Sequence, residues 1–251
     1  MSMTSATSAT PFRVGAAVTK AIDVYRAGFF KFVALTAIPM APALVVEIVA
    51  ARMPDGAQGG LSALSTGLQY VLGALATGTC LYGAFQIMRG KPFTIGKSLS
   101  AAGGRLAGLI GAEFISALMT AVGLALLVVP GVVIARALYV ALPALMVERM
   151  GPLAALRRSR ALTHGHRWSI FGVLALFLLM SAIATGVVVA LIAAIVAVEV
   201  GDLSDLAATG LAFVALVIVE AFAAVLSAVV YHDLRVAKEG VDVEHLSGVF
   251  A

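Results

Sequence analysis

Four ionisable side chains interrupt long apolar stretches of this sequence. They are Glu47, Glu113, Arg136 and Glu220. A charge inside the hydrocarbon of a bilayer costs about 2.5–3.5 kcal/mol on insertion scales, so such residues face other helices and pair, or they serve a substrate or proton path. We favour structural pairing, or a neutral hydrogen-bonded acid, over a substrate or proton site at Glu220 with Arg136 as a longer-range partner.

Depth along the apolar stretches predicts one specific pair. With a rise of 1.5 Å per residue, Arg136 lies roughly 8 Å and Glu47 roughly 6 Å below the same membrane surface. These matching depths predict an ion pair between Glu47 and Arg136. By the same count Glu220 lies near the middle of the bilayer and Glu113 lies nearer the cytoplasm, both without a basic residue at their depth.

A basic segment follows the fourth apolar stretch. It contains Arg149, Arg157, Arg158, Arg160 and Arg167. Four to eight basic residues beside a span are typical of a surface that binds anionic lipid headgroups, so we predict such a lipid or partner surface here. Charge that merely orients the chain in the membrane gives the same pattern. Acidic residues near the C-terminus are a competing partner for this segment, namely Asp233, Glu239, Asp242 and Glu244.

The basic segment also contains the pattern His164-Gly165-His166, which invites a metal interpretation. Two histidines beside five arginines are too few ligands for a structural zinc site, so we expect a solvated turn and no metal. No glycine loop with its lysine suggests a phosphate site, and the single cysteine, Cys80, permits no internal disulfide. The sequence therefore predicts no cofactor and no catalytic residue.

The elements that carry these residues are transmembrane helices. The chain has 251 residues, of which 61% are hydrophobic and 12% charged, and its mean hydropathy is +1.06. Soluble domains are about 45–50% apolar and 25% charged, so a soluble globule and a disordered chain are both excluded. Stretches of roughly 17–25 apolar residues predict six spans: Phe32–Ala51, Gln69–Met88, Leu106–Val129, Gly131–Val147, Ser169–Val198 and Ala207–Tyr231.

Three amphipathic segments lie beside the spans, and each follows a proline. The segments are Phe12–Phe30, Phe93–Leu106 and Leu153–Leu162, and the prolines are Pro11, Pro92 and Pro152. Proline fits the first helical position, and a helix with one apolar face lies in the headgroup plane. We therefore predict an all-α, polytopic membrane helical bundle with six transmembrane helices in three hairpins, each preceded by a cytoplasmic amphipathic interfacial helix.

Prolines inside the spans predict local irregularities. Pro130-Gly131 is turn chemistry and is expected to connect the third and fourth spans. Pro39, Pro42 and Pro143 are expected to kink or break their helices.

The basic residues also predict the orientation. Fifteen of the 17 lysines and arginines fall on one side of the spans, Arg52 falls on the other, and Arg136 lies within a span. The side of Arg52 also carries an acidic loop with Glu199, Asp202 and Asp205. The positive-inside rule then predicts a multi-pass protein of the bacterial inner membrane with both termini cytoplasmic. The net charge of +4 is thereby explained without a nucleic-acid partner.

We divide the chain into a disordered N-terminal tail over residues 1–11, a single six-span membrane domain over 12–238 and a cytoplasmic C-terminal tail over 239–251. No segment outside the spans has the roughly 250 residues that a catalytic barrel requires.

Four runs of residues resemble a known family. The first is Arg136-Ala-Leu-Tyr-Val-Ala-Leu-Pro143-Ala-Leu-Met-Val-Glu148, followed by Gly151-Pro152-Leu153-Ala-Ala-Leu-Arg157-Arg158-Ser159 and Ala161-Leu162-Thr163-His164-Gly165-His166-Arg167-Trp168. With the closing Tyr231-His-Asp233-Leu234-Arg235-Val-Ala-Lys238-Glu239-Gly240, they resemble the membrane domain of prokaryotic glycerophosphoryl diester phosphodiesterases and related uncharacterised bacterial six-helix membrane proteins. The resemblance implies an all-helical integral membrane module, which in the full enzymes accompanies a separate soluble catalytic barrel.

Without such a barrel, the sequence predicts a protein that is not an enzyme. We expect a scaffold, or an interface module for the lipid bilayer, for anionic headgroups on the cytoplasmic face, and for a membrane-protein partner or a second copy of the chain. The alternative is a small transporter or flippase-like carrier of a lipid-derived or amphiphilic solute, with Arg136 and Glu220 in its path. A continuous polar cavity reaching both residues would favour transport, whereas a packed interior would favour the scaffold.

Overall fold

A computed structural model describes residues 12–53, 55–197 and 202–240, and within them the chain is helical. The helices are α1 (Val14–Ala27), α2 (Phe29–Ala50), α3 (Asp55–Met88), α4 (Ile95–Gly103), α5 (Leu106–Leu126), α6 (Val128–Leu138), α7 (Ala141–Glu148), α8 (Pro152–Thr163), α9 (Arg167–Val196) and α10 (Asp202–Glu239). The predicted N-terminal tail lies outside the described residues, as do Glu199, Asp242 and Glu244.

Six of these helical segments are long and apolar enough to cross a membrane, which confirms the predicted polytopic bundle. They are Phe29–Ala50, Gln58–Met88, Leu106–Leu126, Val128–Glu148, Arg167–Ala194 and Leu206–Glu239. Helices are favoured here because a helix satisfies its own backbone hydrogen bonds where water cannot. A short helix precedes each pair of spans, since α1, α4 and α8 come before α2, α5 and α9.

The first two spans pack side by side in opposite directions. The Thr79 hydroxyl donates to the carbonyl oxygen of Leu35 at 3.1 Å, and the Ser65 hydroxyl donates to that of Ala43 at 3.2 Å. The contacting residue numbers rise along α2 as they fall along α3, so the two helices form an antiparallel hairpin.

The last helix, α10, lies at the centre of the bundle and contacts α1, α2, α3 and α9. Tyr231 on α10 is fully buried and packs edge-on against Phe85 of α3, with ring centroids 5.9 Å apart. We call the end of the bundle with α8 and the C-terminal end of α10 the proximal end. The end with the α2–α3 connection is the distal end.

The short helix α1 buries the apolar face that its spacing predicts, but protein covers that face. Its buried residues are Ala17, Val18, Ala21, Val24 and Tyr25. They pack on α10, α3 and α9, and the Tyr25 hydroxyl donates to the carbonyl oxygen of Ile218 at 3.1 Å. The amphipathic pattern therefore identifies the apolar face correctly, while its contact here is with the bundle and not with lipid alone.

The predicted proline starts hold for one short helix of the three. Helix α8 begins at Pro152. Helix α1 begins at Val14, three residues after Pro11, and α4 begins at Ile95, so both of those predicted starts are wrong. The reason at α4 is a side-chain cap, because Thr94 Oγ1 accepts a hydrogen bond from the backbone N–H of Lys97.

The connection between the third and fourth spans differs from the prediction. The chain turns at Leu127, in extended backbone, and Pro130 lies in the first turn of α6, where its missing N–H costs nothing. The fourth span is interrupted between α6 and α7, and Pro143 lies in the first turn after the break. Helix α2, in contrast, runs unbroken through Pro39 and Pro42.

Helix α8 closes the break in the fourth span. It packs against α5, α6 and α7. The Ser159 hydroxyl donates to the carbonyl oxygen of Ala137 at 2.8 Å and accepts from the N–H of Val140 at 3.3 Å. One side chain thus satisfies backbone groups on both sides of the break, as a buried backbone requires.

Close packing of two glycines at the α5–α6 turn leads to a stability prediction. A Cβ on Gly123 would lie 2.8 Å from the Cα of Gly131, which is backbone and cannot rotate away. Gly123→Ala is therefore expected to destabilise the protein by about 1–3 kcal/mol. Thermal unfolding of the detergent-solubilised protein measures the loss.

The matched control is Gly186→Ala on α9, where an added Cβ would meet nothing within 4 Å. Because alanine favours a helix by about 0.8–1 kcal/mol over glycine, this variant should unfold at the same temperature or slightly higher. Equal unfolding temperatures for the two variants would contradict the close approach at Gly123.

Candidate functional site

Glu47 lies one turn from the distal end of α2 and is bound by polar residues of α3. Its Oε2 accepts a hydrogen bond from the Ser65 hydroxyl at 2.6 Å and one from Gln69 Nε2 at 3.5 Å. Gln69 also donates to Ser65 at 3.3 Å. Ser65 and Gln69 are one helical turn apart, so they present both donors on one face of α3.

The predicted pair of Glu47 with Arg136 does not form, and that prediction is wrong. The Arg136 guanidinium lies over the ring of Trp168, with Cζ 6.0 Å from the ring centroid. The neighbouring carbonyl of Ala137 is bonded by Ser159 of α8, which places Arg136 beside the proximal helices. A depth count does not show which helices are neighbours: Glu47 is on α2, which packs on α3 and α10, whereas Arg136 is on α6, which packs on α5, α8 and α9.

Glu220, another carboxylate within the spans, also faces α3. Its Oε1 lies 3.2 Å from the position that a Cβ on Gly73 would occupy, so the glycine makes room for it. Glu113 comes from α5, which also packs on α3. We call Glu47, Glu113 and Glu220 the carboxylate row; Glu47 and Glu220 lie against α3 at Ser65 and Gly73, about 12 Å apart along the helix.

A cavity of about 310 Å³ opens beside the distal part of this row. It lies between α2, α3 and α10, and Glu47 and Gln69 are part of its wall. Neither Glu220 nor Arg136 lines it. This cavity is therefore not the continuous polar path to Glu220 and Arg136 that would favour transport.

A network of charged side chains joins three helices at the proximal end. Arg158 of α8 donates to Glu148 Oε1 at 2.7 Å and to Glu239 Oε1 at 2.6 Å. The buried Tyr231 hydroxyl donates to the same Glu148 oxygen at 2.7 Å, and Arg235 donates to Glu239 at 3.1 Å. We call these five residues the proximal network; it links α7, α8 and α10.

The network determines the state of Arg158. Burial lowers its pKa, but the hydrogen bonds to Glu148 and Glu239 outweigh burial and raise the pKa of the guanidinium above its ordinary value. Arg158 is therefore a partly buried cation that is neutralised by carboxylates of the protein itself. The sequence offers the acidic C-terminal region as a partner for the basic segment. One of its acidic residues, Glu239, does pair with Arg158 of that segment.

A second ion pair attaches α1 to α10. Lys20 Nζ lies 2.7 Å from Asp233 Oδ1 and 3.1 Å from His232 Nδ1. His232 and Asp233 are also within hydrogen-bond distance of each other, at 3.0 Å. Asp233 was a predicted partner for the basic segment, and the structure instead gives it to α1.

The remaining arginines of the basic segment are exposed. We call them the basic surface: Arg149, Arg157, Arg160 and Arg167. Within the described residues none of these four forms an ion pair. Trp168, next to Arg167, is 80% exposed, and an exposed tryptophan beside basic residues is typical of the headgroup region.

A fifth arginine extends this positive region. Burial and the charge of Arg149 together lower the pKa of Arg105, which precedes α5. Arg149 itself ends α7 in left-handed backbone, with φ of 51°. Two arginines that repel each other make an anion beside them favourable.

The His164-Gly165-His166 pattern does not form a metal centre with other residues of the described chain, where no group of three metal-binding side chains is found. His164 is exposed. His166 stacks on Phe12 with ring centroids 6.1 Å apart, and burial followed by the charge of Lys238 lowers its pKa. The two histidines therefore have separate surroundings.

Sequence reasoning missed several polar residues of these sites. Ser65 fell outside the predicted second span, which was started at Gln69, whereas α3 begins at Asp55. Ser65 and Gln69 are four residues apart, a spacing that places two polar side chains on one face of a helix. Tyr231 and Glu148 belong to the runs that resemble the family, and no pattern in the sequence assigns them a role.

Fold and charge placement define the class of protein: an all-helical, six-span integral membrane module. The family model described as the membrane domain of glycerophosphoryl diester phosphodiesterase matches residues 109–247, more than half of the chain. The chain belongs to this family, as the resemblance predicted. Only the membrane domain of the family is matched. No curated protein and no solved structure matches the chain.

The proximal network leads to a prediction with a matched neighbour. Arg158→Met removes the cation shared by Glu148 and Glu239, whereas Arg157→Met removes an exposed arginine whose Nε contacts only the carbonyl of Leu153 among the described residues. Charge-assisted hydrogen bonds contribute about 1.5–3 kcal/mol when buried and less when partly exposed. We expect Arg158→Met to cost about 1–2 kcal/mol and Arg157→Met to be neutral in thermal unfolding. If both variants lost the same free energy of unfolding, the proximal network would contribute nothing to stability.

Proposed function

We propose that this protein is a non-catalytic membrane module whose basic surface binds anionic lipid headgroups at the cytoplasmic face and there serves as a scaffold. One observation carries the proposal: Arg158 is neutralised inside the proximal network, while Arg157, Arg160 and Arg167 stay exposed beside Trp168. The fold thus separates one structural arginine from a set that is free to bind outside the protein.

The packing of the proximal half supports a scaffold over a carrier. Helix α7 is almost wholly buried, and Tyr231 fills the space between α3 and α10. The cavity at the distal end reaches neither Glu220 nor Arg136. The carrier alternative needs a path between those two residues, and Arg136 lies instead against Trp168.

The lipid prediction is tested with detergent-solubilised protein and added phosphatidylglycerol. A basic residue near an anionic surface contributes about 1 kcal/mol, and a ligand that binds the folded state raises its unfolding temperature. We expect phosphatidylglycerol to stabilise the wild type more than phosphatidylcholine does. The triple variant Arg157→Gln, Arg160→Gln, Arg167→Gln should lose most of that difference.

The control removes the same number of exposed charges elsewhere. Arg13, Lys91 and Lys97 are exposed, so their triple replacement by Gln changes the net charge equally. This control should keep the response to phosphatidylglycerol. Equal loss in both triples would mean that the arginines of the basic surface act only through total charge, and the proposal would fail.

The same proposal requires the proximal end to face the cytoplasm, in a bacterial inner membrane. The buried Cys80 is the single cysteine of the chain, so a Cys80→Ala background allows site-specific labelling. A membrane-impermeant maleimide added to intact spheroplasts should label Arg52→Cys at once and Gly240→Cys only after the membrane is permeabilised. The reverse pattern would place the basic surface outside and overturn the orientation.

A further inference from the structure

The cavity between α2, α3 and α10 has the size of a small ligand site. Its volume of about 310 Å³ lies at the lower end of the range of about 300–1,000 Å³ that ligand pockets occupy. It lies at the distal end, opposite the basic surface, and does not depend on the function proposed for that surface.

The wall of the cavity changes from polar to apolar along its length. Glu47, Gln69 and Thr209 lie toward the distal end, and Met40, Leu44 and Leu216 lie deeper in the bundle. Met40 and Glu47 are separated by seven residues, which is about 10 Å of helix. A molecule with a polar head and an apolar chain, held upright in the distal leaflet, matches this order of contacts.

The polar end of the cavity is anionic. Glu47 is the one charged residue among the described residues of its wall, and within the described ranges no lysine or arginine nitrogen lies within 4 Å of its carboxylate. A carboxylate accepts about four hydrogen bonds, and the two from Ser65 and Gln69 both fall on Oε2. Acceptor capacity and negative charge therefore remain at the head of an apolar cavity.

A metal ion fits this end poorly, because calcium and magnesium take several oxygen ligands and the described residues offer no group of three metal-binding side chains. A primary ammonium group fits better. It carries one positive charge and three N–H donors, and an alkyl chain attached to it finds apolar contacts on Leu44, Met40 and Leu216 that are equivalent to those in lipid.

We propose that this cavity binds a single-chain or lipid amphiphile with a primary ammonium headgroup, from the distal leaflet. The ammonium donates to the Glu47 carboxylate, and Ser65 and Gln69 orient that carboxylate through their bonds to Oε2. The alkyl chain runs down between α2 and α10 toward Met40.

The test uses the full chain in phosphatidylcholine vesicles and a long-chain alkylamine that carries a photoreactive diazirine on its chain. After illumination, mass spectrometry of peptides should place the label in residues 40–51 and 209–216. Labelling should saturate and should be competed by an unlabelled alkylamine. Probes with the same chain and a hydroxyl or a carboxylate head should label these peptides weakly.

Two variants separate the head from the chain. Glu47→Gln keeps the acceptor for Ser65 but removes the charge, and it should raise the half-saturating probe concentration about tenfold or more. Ala212→Trp adds a large side chain in the wall of the cavity, and it should abolish saturable labelling even with Glu47 intact. Glu113→Gln is the matched control, since Glu113 lies within a span but does not line the cavity, and it should leave labelling unchanged.

The outcomes are decisive in both directions. Equal labelling by the ammonium and hydroxyl probes, or an unchanged Glu47→Gln variant, would show that Glu47 selects no cation and overturn the proposal. A photoreactive phosphatidylethanolamine that labels the same peptides identifies the source as a membrane lipid, whereas labelling by the alkylamine alone identifies a soluble amphiphile. Label spread over all lipid-facing helices would mean that no site exists.

Discussion

The arrangement of the proximal helices depends on the way in which the C-terminal end of α10 is held. Apolar contacts are non-directional, so they leave short helices such as α7 and α8 free to slide against their neighbours. Arg158 removes that freedom, because its two bonds fix α8 to Glu148 of α7 and to Glu239 of α10. Lys20 and Asp233 do the same for α1. Both links lie at the edge of the apolar core, where the charged groups stay partly exposed.

The same network explains why neighbouring arginines of one basic segment have different surroundings. Arg157 and Arg158 are neighbours, but a helical step of about 100° turns their side chains to different faces. Arg158 thus enters the network while Arg157 stays exposed. Composition alone makes these arginines equivalent, and only their position around α8 tells the structural residue from the surface residues.

The sequence predicts those parts of the fold that local patterns determine. Six apolar stretches became six spans, and three amphipathic segments became α1, α4 and α8. An amphipathic pattern does not show whether lipid or protein covers the apolar face of a helix, because both are equally apolar partners. For α1 the cover is α10, α3 and α9.

Long-range placement failed for a physical reason that Arg136 makes clear. Depth along a span does not show which helices are neighbours, and α6 with Arg136 packs beside α9 while α2 with Glu47 packs beside α10. Those contacts join helices far apart in the chain, so no window of sequence reveals them. Ser65 and Gln69 are a different case, because their periodic spacing was visible and only the assumed start of the span hid it.

The two ends of the bundle consequently differ in charge as well as in packing. At the proximal end, Arg158 and Lys20 neutralise the acidic side chains that they contact. The charge that remains there is the positive charge of the basic surface. At the distal end Glu47 is bound by neutral donors alone among the described residues, and the residual charge is an anion beside a cavity. On the two proposals made above, electrostatic complementarity assigns opposite partners to the two ends: anionic groups proximally and cationic groups distally. Arg136 does not offset this asymmetry, because it lies on α6 against Trp168 and not on a helix packed beside Glu47.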